Sequence, residues 1–169
     1  MTAVDGVTRA RLLELLIYNP FAGHFRWRVN RGGAIKAEQI AGHLRPDGYH
    51  SIGIDGRWYF VHRLAWLYVT GQWPKQQIDH INGKRHDNRW LNLRPASPAQ
   101  NSQNAKRKTS NRCGAKGVYW HKRSRKWTAA IRHEGKQLSL GYFDSLGEAA
   151  AAYSKATFIH HREFACDSR

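Results

Sequence analysis

Asp79 and His80 stand side by side in the stretch from Ile78 to Asn104, IDHINGKRHDNRWLNLRPASPAQNSQN. The aspartate offers a hard oxygen ligand. The histidine beside it, with an ordinary pKa near ~6.5, is largely neutral at pH 7 and can accept a proton. A ligand next to a base is the chemistry of metal-assisted hydrolysis, and here it reads as a site for cutting a phosphodiester bond.

The surrounding pattern predicts how the pair is held. Ile78 and Ile81 flank it as apolar anchors, and Asn82-Gly83 is a turn signal, so Asp79 and His80 should end one arm of a hairpin-like loop. Trp90-Leu91-Asn92-Leu93-Arg94 gives a short apolar return segment. Ser97 is an N-cap and Pro98 suits the first helical position, which puts Asn101 in the first turns of a short helix.

These residues and their spacing resemble the HNH nuclease family, the ββα-metal fold, and most closely its phage-type homing endonucleases. The resemblance implies that Asp79 is a metal ligand, His80 the general base, Asn92 the central asparagine that ties the loop, and Asn101 the last motif position. Many members carry histidine at that last position, and phage-type members carry asparagine. An Asp/Asn oxygen pair suits a hard cation such as Mg2+ or Mn2+. The stretch HRLAWLYVTGQWP before the motif resembles the same phage-type members. The implied reaction leaves 5′-phosphate and 3′-hydroxyl ends.

Charge points to the same kind of substrate. Twenty-eight Lys+Arg face 12 Asp+Glu, a net charge of +16, which matches a polyanion and predicts salt-dependent binding. Double-stranded DNA is the expected partner. A hydrophobic share of 41% with seven tryptophans allows packed cores and excludes a disordered polycation. No apolar run approaches the ~20 residues that span a bilayer. The N-terminus, MTAVDGVTRARLLELL, lacks the features of a secretory signal, so a cytoplasmic protein is expected, in the host cell if phage-encoded. Cys113 and Cys166 are far apart and read as reduced thiols rather than a zinc knuckle or a disulfide.

Before the motif, Leu12, Leu13, Leu15 and Leu16 at helical spacing predict a helix over Thr8 to Tyr18, stopped by Asn19-Pro20. Phe21 to Val29 alternates Phe25, Trp27 and Val29 with Arg26 and Arg28, as a half-buried strand does. Residues 31 to 44 read as loop. Tyr49 to Ile54 and Arg57 to Val61 form a hairpin about Asp55-Gly56. A helix from His62 to Thr70, ending at Gly71, should buttress the catalytic loop through Leu64, Leu67 and Tyr68. His62 at its start reads as a structural contact, and Arg57, Lys84, Arg85 and Arg89 are candidates for placing phosphates.

After Asn104 the chain becomes a basic linker, residues 105–116. Val118 to Lys122, Lys126 to His133 and Lys136 to Phe143 then read as three strands, followed by a capping box at Ser145-Leu146-Gly147-Glu148 and a helix to about His160. Alternation puts Val118, Trp120, Trp127, Ala129, Ile131, Leu138 and Leu140 on one face, for an alanine-rich helix to cover. Tyr119, His121, Thr128, Ala130, Arg132, Gln137 and Ser139 fall on the other. The segments GVYW, KWTAAIR, LGYF and EAAAAY resemble the AP2 DNA-binding domain. That resemblance implies a sheet set into the major groove, with Lys116, Tyr119, His121, Arg132, Gln137 and Ser139 facing DNA.

The expected architecture is α+β: a ββα-metal nuclease module within residues 1–104, the linker, and an AP2-like module over residues 117–165. The expected function is a metal-dependent DNA endonuclease of the phage homing type. The alternative is a non-catalytic DNA-binding regulator that keeps the HNH fold as scaffold. A monomer is compatible with the sequence, which contains no long coiled-coil repeat.

Overall fold

The computed structural model describes residues 6–104, 113–161 and 164. The linker residues 105–112 and Cys166 lie outside them. Contacts divide the chain into two compact units, residues 1–96 and 97–169. The architecture is α+β, with four α-helices among small antiparallel sheets in the described residues.

In the first unit, Thr8 caps helix α1 (Arg9–Leu15) by accepting from the Arg11 N–H at 3.2 Å. The helix is shorter than the leucine spacing predicts. Leu16 turns extended and opens strand β1 (Leu16–Asn19), which pairs with β2 (His24–Trp27). The physical reason is a change of period: Leu16 and Tyr18 are both buried while Ile17 and Asn19 face out, an alternation that only a strand provides. Asn19 then fixes the turn, its Oδ1 accepting from the Phe21 and Ala22 N–H groups at 3.0 Å each. β2 is correspondingly shorter than Phe21 to Val29, with Phe25 and Trp27 inward and Arg26 outward.

β3 (His43–Leu44), β4 (His50–Ile54) and β5 (Arg57–Phe60) form a three-stranded sheet, with Asp55-Gly56 turning β4 into β5 as expected. Helix α2 (Val61–Thr70) follows and closes at Gly71. Its Leu64, Ala65 and Leu67 pack with Leu12, Leu16, Phe25, Ile52 and Ile54. Each such large side chain contributes on the order of 1.5–3 kcal/mol by leaving water. β6 (Gln77–His80) pairs with β7 (Leu93–Ala96) across the loop that carries the motif. Where an apolar return segment is expected, Trp90–Asn92 makes one 3-10 turn before β7 begins.

The second unit opens with helix α3 (Pro98–Asn104). Ser97 and Gln100 cap it reciprocally, Ser97 N–H to Gln100 Oε1 at 2.8 Å and Gln100 N–H to Ser97 Oγ at 3.3 Å. β8 (Val118–His121), β9 (Lys126–His133) and β10 (Lys136–Phe143) form an antiparallel sheet in the order β10-β9-β8. Helix α4 (Leu146–His161) backs it, opened by the Ser145–Glu148 box. Ala149 and Ala156 are buried, and Tyr153 lies so close to Gly117 that no larger residue fits there. Cys113 and Ala115 join this core, so the end of the basic stretch belongs to the folded unit.

Three face assignments need correction. Thr128 is buried, flanked in register by Tyr119 on β8 and Tyr142 on β10. Trp120 and Leu138, expected in the core, remain substantially exposed. α4 lies mainly over β9 and β10 and leaves the edge strand β8 less covered, which accounts for Trp120. The chain has no candidate membrane span among its described residues: no helix there is long and apolar enough.

Candidate active site

Asp79 and His80 are consecutive on β6, so they project to opposite faces of the β6–β7 ribbon. Register places Arg94 across from Asp79, and the guanidinium donates to Oδ2 from Nε at 2.9 Å, with Nη2 at 2.8 Å. Both side chains are largely buried. The pair therefore orients the carboxylate by a charge-assisted contact shielded from water.

His80 sits in an aromatic box. Its ring centroid is 5.2 Å from that of His62, edge to face, and 5.9 Å from Tyr49; His62 in turn stacks on Phe60. Burial lowers the His80 pKa, opposed by its contact with Asn88, and leaves the ring neutral at pH 7. His62 is pushed down to about 3, first by burial and then by the nearness of His80 and Arg63.

Asn88 sets the tautomer. It is 1% exposed, its Oδ1 lies 3.1 Å from His80 Nε2, and its Nδ2 donates to the His86 carbonyl at 3.1 Å. The second contact requires the amide nitrogen to face His86, so the amide oxygen faces His80. Nε2 then carries the proton and Nδ1 the lone pair.

The loop between the strands is tied by Asn92. Its Nδ2 donates to Asn82 Oδ1 at 3.1 Å and to the Asp87 carbonyl at 2.7 Å, and its Oδ1 accepts from the Asn82 N–H at 3.0 Å. Asp87 adds a second tie: it accepts from Arg89 Nε at 2.8 Å and Nη2 at 2.6 Å, and from Asn82 Nδ2 at 2.6 Å. Arg89, then Asn82, holds the Asp87 carboxyl far below the usual carboxylate range.

The β1–β2 hairpin props this loop from outside. Tyr18 Oη donates to the Asn88 carbonyl at 2.5 Å, and the Trp90 N–H donates to the Pro20 carbonyl at 2.9 Å. Gly23, at φ +75°, lies against the same backbone; a Cβ there would stand 2.5 Å from Arg89 N. Only glycine allows the approach.

Of the expected site residues, Asp79 and His80 lie on β6 and Asn92 in the loop between β6 and β7. Asn101 lies on α3, at the start of the second unit, and its N–H bonds to the Ser97 carbonyl at 2.9 Å. Arg85 donates to the Asp47 carbonyl at 3.0 Å and stacks over Tyr49, while Arg89 is paired with Asp87. Asn88, Asp87, Arg94, Tyr18 and Tyr49 are site residues that the motif comparison did not pick out. The Asp87-Asn88 pair in the turn-rich loop was the available signal for two of them.

On the second unit, Tyr119, Arg132, Gln137 and Ser139 are exposed on the sheet face away from α4, with Arg132 opposite Gln137 and Ser139 opposite Ala130. His121 stands there too, its Nδ1 2.7 Å from Ser124 Oγ. Lys116 is directed elsewhere, donating to the Gln103 carbonyl at 2.8 Å. Tyr142 joins the face unexpectedly. A bulge between Ser139 and Gly141, with Gly141 at φ +117°, shifts the alternation by one residue and puts Tyr142 across from Thr128.

The sequence pattern of the family described as HNH endonuclease matches residues 59–103, from β5 to α3. Protein 3.8 of Escherichia phage T7 is 36% identical over 100 residues, covering 59% of this chain and 83% of that protein. An ethylene-responsive transcription factor-like protein of Arabidopsis thaliana, At4g13040, is 40% identical over 68 residues, 39% of this chain and 29% of the plant protein. Among solved structures, one described as DNA binding and cleavage by the HNH homing endonuclease I-HmuI aligns over 88% of both chains with 21% identity and a TM-score of 0.40. The family pattern spans the whole Asp79–Asn101 motif and the T7 relative is matched over most of its length: the chain belongs to the HNH endonuclease family.

Proposed function

We propose that this endonuclease hydrolyses double-stranded DNA with the help of a hard divalent cation, Mg2+ or Mn2+, and is directed to its sites by the sheet of the second unit. The observation that carries the reading is the buried Asp79–His80 pair, in which Asn88 fixes His80 as the neutral Nε2–H tautomer.

Asp79 and Asn101 would hold the cation. One carboxylate and an amide oxygen fit a hard cation that takes its remaining ligands from water and phosphate. When bound, the cation supplies charge stabilisation at a phosphate oxygen and at the departing 3′ oxygen.

The protein's own part is proton management. His80 Nδ1 takes the proton of the attacking water, the new bond forms from water oxygen to phosphorus, and the bond from phosphorus to the 3′ oxygen breaks, that oxygen taking a proton from solvent. Products carry 5′-phosphate and 3′-hydroxyl ends. Asn92 holds the loop without touching substrate, and Lys84, Arg85, Arg89 and Arg57 place phosphates along the approach.

For targeting, Tyr119, His121, Arg132, Gln137 and Ser139, with Tyr142, form the surface offered to the major groove. Arg132 suits guanine and Gln137 adenine. Support comes from the exposed polar face, the net charge of +16 and the partial likeness to the plant protein. A role in mobility of its own coding sequence is the biological extension of the phage likeness.

The test is supercoiled plasmid incubated with wild type and with His80→Ala, in Mg2+ and in chelator. Conversion to open-circle or linear DNA by wild type alone, only with the cation, is expected. Equal cutting by His80→Ala, or cutting in chelator, overturns the base or the metal assignment respectively. DNA binding without any cutting on a large mixed substrate favours the regulator.

A further inference from the structure

The two most exposed large apolar side chains among the described residues of the first unit stand together beside the active-site loop. Phe21 is 85% exposed and Leu91 86%, and both line one open groove of about 590 Å³ with Pro20, Asn82, Arg89, Trp90 and Asn92. Single exposed apolar residues need no explanation, but a pair on one groove does.

Neither tip belongs to a loose segment. Phe21 follows the Asn19 turn, whose side chain accepts from its N–H at 3.0 Å, and the next anchor is the Trp90 N–H to Pro20 carbonyl bond at 2.9 Å. Leu91 lies between Trp90, whose ring packs 5.2 Å from Trp66, and Asn92, which ties the loop. The backbone therefore holds two apolar side chains outward at fixed positions.

Their setting indicates the occupant. Lys84, Arg85 and Arg89 are exposed on the same loop, and its one acid, Asp87, is engaged by Arg89 and Asn82. A second copy of the chain is a poor fit. Two such side chains present on the order of 400 Å² at most, about half of the roughly 800 Å² per partner that a stable interface buries, and two like-charged rims would meet. A nucleic-acid duplex fits both features, since phosphates meet the basic side chains while the apolar tips enter between bases.

Resting on the endonuclease reading, we infer that Phe21 and Leu91 form a wedge that enters the minor groove of duplex DNA next to the scissile phosphate and partly unstacks a base step there. Opening the step kinks the duplex and turns a backbone phosphate toward His80, because the Trp90 N–H to Pro20 carbonyl bond ties the hairpin that carries Phe21 to the loop that follows His80 and carries Leu91. The kink also lowers the local twist.

Twist is measurable without knowing the recognition sequence. Closed circular plasmid saturated with the full-length protein in chelator is relaxed by a metal-independent topoisomerase, stripped of protein, and its linking number compared with a protein-free control. Wild type should lower the linking number. The Phe21→Ala/Leu91→Ala double variant should bind with an unchanged salt slope yet give less than half the shift per bound protein, and Phe21→Leu/Leu91→Met should restore it. An unchanged linking number at saturating wild type overturns the wedge, as does an equal shift from the alanine variant. A wild-type dimer in sedimentation that the alanine variant loses assigns the patch to a second copy instead. Open circles in chelator count against the cation requirement, not the wedge, which is read from the circles that stay closed.

Discussion

The side-chain oxygen of Asn88 lies 3.1 Å from Nε2 of His80, while the amide nitrogen of the same residue donates to His86 at 3.1 Å, so one asparagine decides which nitrogen of the base carries the proton. Rotating the amide would set its oxygen against the His86 carbonyl and lose that bond. The tautomer is thus built into the loop before substrate arrives.

Replacing Asn88 separates that role from packing. Asn88→Ala should lower the cleavage rate on the order of 10–100-fold, the usual effect of losing a partner that orients a working ligand or base, with DNA binding retained. Asn88→Asp keeps an acceptor but adds a negative charge that favours the imidazolium. Because the base works only when unprotonated, a raised His80 pKa moves the acid limb of the pH–rate profile to higher pH. A profile superimposable on wild type would argue that Asn88 merely fills space.

His62 makes the first unit sensitive to acid. Its neighbours are His80, Phe60, Tyr49 and Arg63, none of which offers a carboxylate to the charged ring. Its folded pKa is pushed down to about 3, so below its unfolded value of ~6.5 the unfolded chain binds a proton that the native state refuses. Stability is therefore complete above ~6.5 and falls with pH by about 1.4 kcal/mol per unit toward 3. Urea unfolding followed by tryptophan fluorescence at pH 7 and pH 5 should show a loss of about 2 kcal/mol from this group in wild type. His62→Phe should lose less; an identical loss would remove His62 as the cause.

Asp79 is tested through the cation rather than through rate alone. Asp79→Asn keeps shape and an oxygen but drops the charge. The Mg2+ concentration for half-maximal cleavage should rise on the order of tenfold or more. Thermal stabilisation of the free protein by Mn2+ should weaken in parallel, a readout independent of turnover. If both titrations stay where wild type puts them, Asp79 is not a ligand.

Much of this site was legible in the chain. Asp79, His80 and Asn92 fall in one stretch of the chain, on β6 and the loop that follows it, and local signals such as the Ser97 and Ser145 caps translate directly into hydrogen bonds. What stayed hidden depends on distant partners. No local pattern shows that Tyr18, 70 positions from Asn88, donates to its carbonyl, or that Gly23 is needed so that a hairpin can close on Arg89. Leu16 belongs to a helical stripe until pairing with Trp27 makes it a strand residue. Tyr142 reads as core by strict alternation, although Gly141 in the middle of a strand pattern is the mark of a bulge.

The bulge yields the last prediction, about how the sheet of the second unit reads DNA. If Arg132 contacts a base edge, Arg132→Ala should cost about 1–3 kcal/mol on a preferred site and relax selection at one position, leaving non-preferred DNA affected only by the loss of one charge. Tyr142 carries no charge and sits beside His121, with ring centroids 5.3 Å apart. Tyr142→Ala should therefore weaken binding without altering its salt slope, whereas Arg132→Ala should shift that slope when the arginine contacts phosphate instead of base. Sites selected from a random duplex pool with each variant, followed by titrations at several salt concentrations, distinguish these cases. If both variants select the same sequences as wild type with equal affinity, the exposed face of β8, β9 and β10 does not touch DNA, and targeting must be sought on the first unit.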